Sequence, residues 1–209
     1  MQLDPRHFIT SADALQTLYG VPLERSVRKQ MDHLDQHSRA FIAASPFLVI
    51  GTQSPEGVAD NSPRGDRAGF VRVVDDRTLL IPDRRGNNRT DTLHNLVRNP
   101  SVGLLFLVPG IAETFRVNGD AVITTDPELC ASFAVDGKSP RSVLVVAVKE
   151  AYIHCSRALV RADLWNPAKH AAKGSVPSFG TVMAAHTCGF VDGKKLDEDL
   201  KTLVPQTLY

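Results

Sequence analysis

The chain has 209 residues, with 24 Lys and Arg against 23 Asp and Glu and a formal net charge of +1. That length suits one domain with a sizeable core, and the near-neutral balance gives no electrostatic ground for a nucleic-acid or membrane partner. Three cysteines, Cys130, Cys155 and Cys188, form no paired framework; with no basic-then-apolar leader and no membrane-length apolar run, a soluble cytoplasmic protein is expected.

A short helix is predicted first, with Ser11 as its N-cap, Ala14, Leu15 and Leu18 on one face and Gly20 as its stop. Leu23, Val27, Met31 and Leu34 follow at spacings of three and four, which predicts one longer amphipathic helix over 22–43, ending before Ser45-Pro46. The texture then changes to short apolar runs punctuated by turn residues. Runs 47–52 and 58–61 flank Pro55-Glu56-Gly57, and runs 70–74 and 78–81 flank Asp75-Asp76, giving two successive hairpins. Leu93, Leu96 and Val97 make a helical stripe between Asn88 and Asn99 that Pro100 terminates.

Strands resume over 102–108 and 113–124, with Asn118-Gly119 as a bulge or tight turn. Thr125-Asp126-Pro127-Glu128 opens a short helix reaching about residue 134. The β-branched run within 142–154 predicts a central strand apolar enough to be buried on both faces. A helix over 155–163 and an irregular tail with a last helix near 196–203 complete the reading.

The densest chemical signal is Ile81-Pro82-Asp83-Arg84-Arg85-Gly86-Asn87-Asn88-Arg89, which leaves a strand, turns through glycine and enters a helix. Outward-pointing backbone N–H groups at a helix start, flanked by Arg and Asn donors, suit a phosphate. An ordinary solvated basic turn has the same composition. His154-Cys155 and His186-Thr187-Cys188 supply zinc-type ligands, but their spacing is not that of a four-ligand site, so no metal is expected.

The order of Ser62-Pro63-Arg64-Gly65-Asp66, Gly69-Phe70-Val71-Arg72-Val73, Thr78-Leu79-Leu80-Ile81-Pro82-Asp83, Gly86-Asn87-Asn88-Arg89, Asn95, Asn99-Pro100 and Phe115-Arg116-Val117-Asn118-Gly119-Asp120 resembles the pyridoxamine 5'-phosphate oxidase-like flavoproteins. The resemblance covers about 41–165 and points to a branch distinct from the oxidase itself, whose Arg and His substrate pair near a tryptophan is missing from the tail. It implies a β-rich α+β fold, an FMN-binding split β-barrel with flanking helices. The expected organisation is an N-terminal helical segment over 1–45 packed on the barrel, a split-barrel core over 46–165 and a C-terminal extension over 166–209.

The resemblance further implies FMN at a homodimer interface, with half of each site from a second subunit. It places the phosphate on Asn88 and Arg89, with Arg84 or Arg85 compensating for the uncharged Asn88. Backbone groups of Val71, Arg72 and Val73 would run along the flavin ring, Ile81 and Pro82 would touch the ring or ribityl chain, and Thr114 would donate to a flavin or ribityl oxygen. Arg64 is expected near the phosphate or substrate, or else in an ion pair with Asp66 or Asp60. Lys138 and Ser139 could reach the flavin across the interface. His154 either caps its strand or lines the flavin site, and Trp165 shields the flavin edge or fills the dimer interface. Flavin chemistry implies an oxidoreductase with a nicotinamide nucleotide as reductant and needs no protein acid or base. No catalytic residue is assigned. A non-catalytic flavin-binding or storage module and a barrel using a deazaflavin or haem are the alternatives.

Overall fold

Apolar side chains at every second position of the middle segments cannot be buried by one strand alone, and a sheet that curls upon itself is how this chain buries them. A computed structural model describes residues 2–209. Seven strands run β1 (Phe47–Gln53), β2 (Ala59–Gly65), β3 (Arg72–Val73), β4 (Thr78–Pro82), β5 (Ser101–Leu107), β6 (Thr114–Thr124) and β7 (Val143–His154). All pairings are antiparallel, in the order β2-β1-β5-β6-β7-β4-β3, and the sheet is not closed by hydrogen bonds between β2 and β3. This is the split barrel with flanking helices.

The inward rows are Leu48 and Ile50 of β1, Leu104 and Phe106 of β5, Phe115 and Val117 of β6, and Leu144 and Val146 of β7, all buried in one cluster. Each such side chain contributes roughly 1.5–3 kcal/mol of burial free energy. The irregularity expected at Asn118-Gly119 is a register shift: Asn118 faces Glu150 while Gly119 faces Val148, leaving Lys149 as the extra residue on β7. Inward positions on β7 therefore step from Val148 to Ala151, a spacing of three, and the core face is kept. Gly119 is required at the bulge, because a Cβ there would lie 2.1 Å from the Ala147 carbonyl oxygen. Burial on both faces of β7 holds only in part, since Val145 is half-buried and Ala147 exposed.

Against β1, β2 and β6 lies α4 (Asp91–Arg98), whose Leu96 is buried and Leu93 packs on the core, while Val97 of the expected stripe is exposed. The Thr92 hydroxyl bonds Asp60 and Ser62 of β2 at 2.9 and 3.0 Å, and Asn95 donates to Thr52 of β1 at 3.1 Å. Asn99 donates to the Gln53 carbonyl at 3.0 Å. Two asparagines of the family pattern are thus structural ties.

The first helix, α1 (Ala12–Tyr19), is capped by Ser11 as expected but buries no residue. The single helix expected over 22–43 is instead two, α2 (Glu24–Arg28) and α3 (Gln36–Ala44). The reason is tertiary: Met31 exchanges both backbone bonds with Ala151 of β7 at 3.0 and 2.8 Å, Leu34 N–H bonds the Asp76 carbonyl, and Asp35 caps α3 through Ser38 N–H. Sheet pairing outweighs the helical periodicity of this stretch. Beyond the barrel, α5 (Pro127–Ser132) starts at the Asp126 cap and α6 (Arg157–Ala162) follows β7. The tail is not irregular up to residue 196: it forms α7 (Phe179–His186) and α8 (Gly193–Gln206), longer than expected at both ends. These two pack so closely that a Cβ on Gly180 would lie 2.0 Å from the Gly193 carbonyl oxygen, and Asp197 accepts from Ser178 Oγ and Gly180 N–H. No helix among the described residues is long and apolar enough to cross a membrane.

Candidate functional site

The segment between β4 and α4 crosses the gap between the sheet edges and bounds a cleft of about 700 Å³. Its direction is set by Asn88 and Thr90, both with left-handed backbone, φ 61° and 53°. Asparagine tolerates that conformation, whereas a β-branched threonine does so only when its surroundings impose it. The cleft is lined by Arg64, Arg84, Arg85, Asn88 and Arg89, and by the buried Pro82. A smaller adjoining hollow of about 340 Å³ shares Arg85 and Asn88 and adds Lys138, Ser139 and Arg141. The loop and the Asp136-Gly137 turn thus form one cationic surface, cross-linked where Arg141 donates to Asn88 Oδ1 at 3.3 Å.

The arginines differ in freedom. Arg84 is nearly enclosed: its Nε bonds Asp66 at 2.7 Å, its Nη1 donates to the Phe133 carbonyl at 2.8 Å, and it stacks over Tyr209. It braces the loop and has little left to offer a phosphate. Arg64 lies 3.9 Å from Asp83, which replaces Asp66 and Asp60 as its acidic partner. Arg89 is exposed and rests on Asp91, and Arg85 is exposed with no ion pair among the described residues. Arg85, Arg89 and Asn88 are therefore the donors available to an anion.

Two carboxyls tune this surface. Burial pushes the Asp83 carboxyl above the ordinary carboxylate range, opposed by the charges of Arg64 and Arg141. Its neighbour Asp66 is also raised by burial, but donors from Tyr209, the Arg67 backbone and Arg84 outweigh that and hold it below the usual value. A protonated Asp83 would remove a negative charge from the cleft, whereas Asp66 stays ionised to hold Arg84.

Other candidates fall elsewhere. Val71 and Ile81 are buried in the core and Val73 packs against it, so only their backbones could face a ligand. The Arg72 side chain turns away, bonding the Ser132 hydroxyl and carbonyl and lying 3.8 Å over the Phe133 ring. Thr114 is buried at the end of β6, opposite His154, and does not line the cleft. His154 has a buried Nε2 with no partner among the described residues; burial, then the charges of Arg116 and Lys29, lower its pKa. Trp165 donates to the Ile111 carbonyl at 2.8 Å. Among the described residues no three His, Cys, Asp or Glu side chains are grouped to hold a metal.

Sequence reasoning missed Asp83, Arg141 and the tail. Ser139-Pro140-Arg141 carried a readable basic signal, but nothing local indicated that Leu203, Val204, Thr207 and Leu208 line the cleft.

Several solved structures are similar to part of this chain at low identity. HupZ of Group A Streptococcus is 19% identical with a TM-score of 0.47, over 56% of this chain and 91% of that chain. A pyridoxamine 5'-phosphate oxidase-related, FMN binding protein from Nostoc punctiforme is 14% identical, TM-score 0.40, over 56% and 78% respectively. An F420 reductase is 12% identical, TM-score 0.42, over 56% and 94%. No curated protein sequence is significantly similar to this chain. The family model described as pyridoxamine 5'-phosphate oxidase matches residues 34–155, more than half of the chain, and the chain therefore belongs to the pyridoxamine 5'-phosphate oxidase family.

Proposed function

We propose that the protein is an FMN-dependent oxidoreductase acting on a small molecule, with the flavin phosphate held by Arg85, Asn88 and Arg89. The observation that carries this reading is the cleft itself: exposed cationic donors among its lining residues and a volume of about 700 Å³. Small-molecule sites commonly occupy about 300–1,000 Å³. The residues present fit a flavin mononucleotide in charge and in size.

When bound, FMN supplies hydride and single-electron chemistry. The chain's residues bind and orient it. Arg85 and Arg89 neutralise the phosphate, Asn88 donates without adding charge, and the Asp66–Arg84 pair fixes the loop that carries them. Burial favours the neutral form of the Asp83 carboxyl, which weakens its repulsion of the anion, while Arg64 and Arg141 favour its ionised form. Family membership supports a homodimer with the flavin at its interface, and the exposed apolar Phe47 and Ile153 on the sheet support such a contact. A nicotinamide nucleotide is the proposed reductant. The cytoplasm is the proposed location.

No histidine or cysteine is among the described residues lining the cleft. The titratable acids that line it are Asp83 and Asp91, and such a cleft suits both chemistry done by the flavin and a second reading, a flavin-binding module without turnover. Purified protein should be yellow and release FMN on denaturation; a colourless protein that cannot be reconstituted would sink the proposal, and a deazaflavin or haem spectrum would replace the cofactor. Bleaching by NADH or NADPH with turnover of an acceptor supports the enzyme, whereas tight FMN without reduction supports the module.

A further inference from the structure

The last helix ends in an unusual place. The α7–α8 hairpin is held to itself by the Gly180–Gly193 contact and by Asp197, but its final turn reaches the cleft. There Leu203, Val204 and Leu208 line the same cleft as the arginine loop, each about half exposed at 50%, 48% and 56%. Apolar side chains left open to a cleft that is also lined by cations are a costly arrangement unless something covers them.

Their position is fixed by one residue. The Tyr209 hydroxyl donates to Asp66 Oδ1 at 2.6 Å while its ring lies 5.3 Å from the Arg84 guanidinium. The same carboxylate, 3% exposed, receives Arg84 Nε on its other oxygen at 2.7 Å. Asp66 therefore locks the phosphate-side loop and the tail together. The stretch matched by the family model ends at residue 155, so the tail wall lies outside the matched residues.

We infer that Leu203, Val204 and Leu208 are ligand-contacting residues that select the non-phosphate part of the ligand, and that Tyr209 is a positioning residue that sets their wall against the arginine loop. The cleft then recognises an amphiphilic phosphomonoester: a phosphate at Arg85, Asn88 and Arg89, joined to a flat apolar group laid against α8. This inference rests on the FMN reading, with the flavin as the ligand of that class.

The test uses the full-length protein freed of chromophore, titrated with FMN, with inorganic phosphate as a competing probe. Leu203→Ser with Leu208→Ser should weaken FMN about tenfold, as expected for two apolar side chains losing a partial burial. The inhibition constant of inorganic phosphate should not move, because phosphate touches only the cationic wall. Tyr209→Phe keeps the ring and removes the tie; it should weaken FMN several-fold and blur the resolved shoulder of the bound flavin's visible band, with the melting temperature lowered by only a few degrees. Should the double variant misfold, Tyr209→Phe alone decides by the same two readouts. Wild-type affinity for FMN in these variants would overturn the inference and leave the FMN reading standing, whereas a wild-type protein that binds no FMN overturns both.

Discussion

The barrel and the cleft rim are built on opposite economies. In the barrel, Leu48, Ile50, Leu104, Phe106 and Val117 are shielded from water, and alternation along each strand decides their place. At the rim, Arg85, Asn88, Arg89, Leu203 and Leu208 are exposed, and the loop is bent through two left-handed residues. The first region is satisfied by the fold alone. The second has donors and apolar surface to spare.

This contrast can be broken most sharply in the barrel. Phe106→Ala should cost about 3–5 kcal/mol, as removal of an aromatic core side chain generally does; a denaturant midpoint near wild type would show that the core is not where the chain's stability lies. Next comes the tie between the two regions. Asp66→Ala leaves the Arg84 guanidinium, only 16% exposed, without its carboxylate and should cost about 2–3 kcal/mol. Because the Asp66 pKa is lowered in the fold, its contribution is present at neutral pH and is lost as pH falls below its ordinary 3.8. The acid limb of the stability curve should flatten in the variant.

His154 gives a smaller effect at milder pH. Its folded pKa lies below its ordinary value of 6.5, so the unfolded chain takes up a proton first and stability falls as pH drops through that region. His154→Gln should reduce the fall in melting temperature between neutral and mildly acidic buffer, and an unaltered slope would mean that the imidazole is solvated. Smallest in stability is Arg89→Ala, which should leave the unfolding curve within the scatter of surface substitutions while weakening FMN. A matching loss of stability would make Arg89 a brace like Arg84.

How far the sequence was legible follows the same division. Strands β1, β5, β6 and β7 were readable because apolar, β-branched runs bounded by turn residues are a local pattern. The helix over 22–43 was misread because Met31 and Leu34 sit at helical spacing by coincidence while their backbones pair with Ala151 and Asp76, far along the chain. At the site, Arg85, Asn88 and Arg89 were legible as a dense basic turn after a strand. The division of labour among the arginines was not, since Asp66 and Phe133, which claim Arg84, are distant in sequence. Arg72 shows the same limit: α5 captures its side chain. The tail gave no signal because α8 gains its meaning from the surface it faces.

The most direct test of the account is an equilibrium titration of chromophore-free protein with FMN and with riboflavin, which differ only in the phosphate, for the wild type and for Arg85→Ala combined with Arg89→Ala. Charge-assisted bonds from two arginines and Asn88 predict that wild type prefers FMN by about 100-fold and that the double variant loses most of this preference while retaining riboflavin binding. Equal affinity of the wild type for the two flavins, or a preference untouched by the double substitution, would contradict the assignment of the phosphate to this loop.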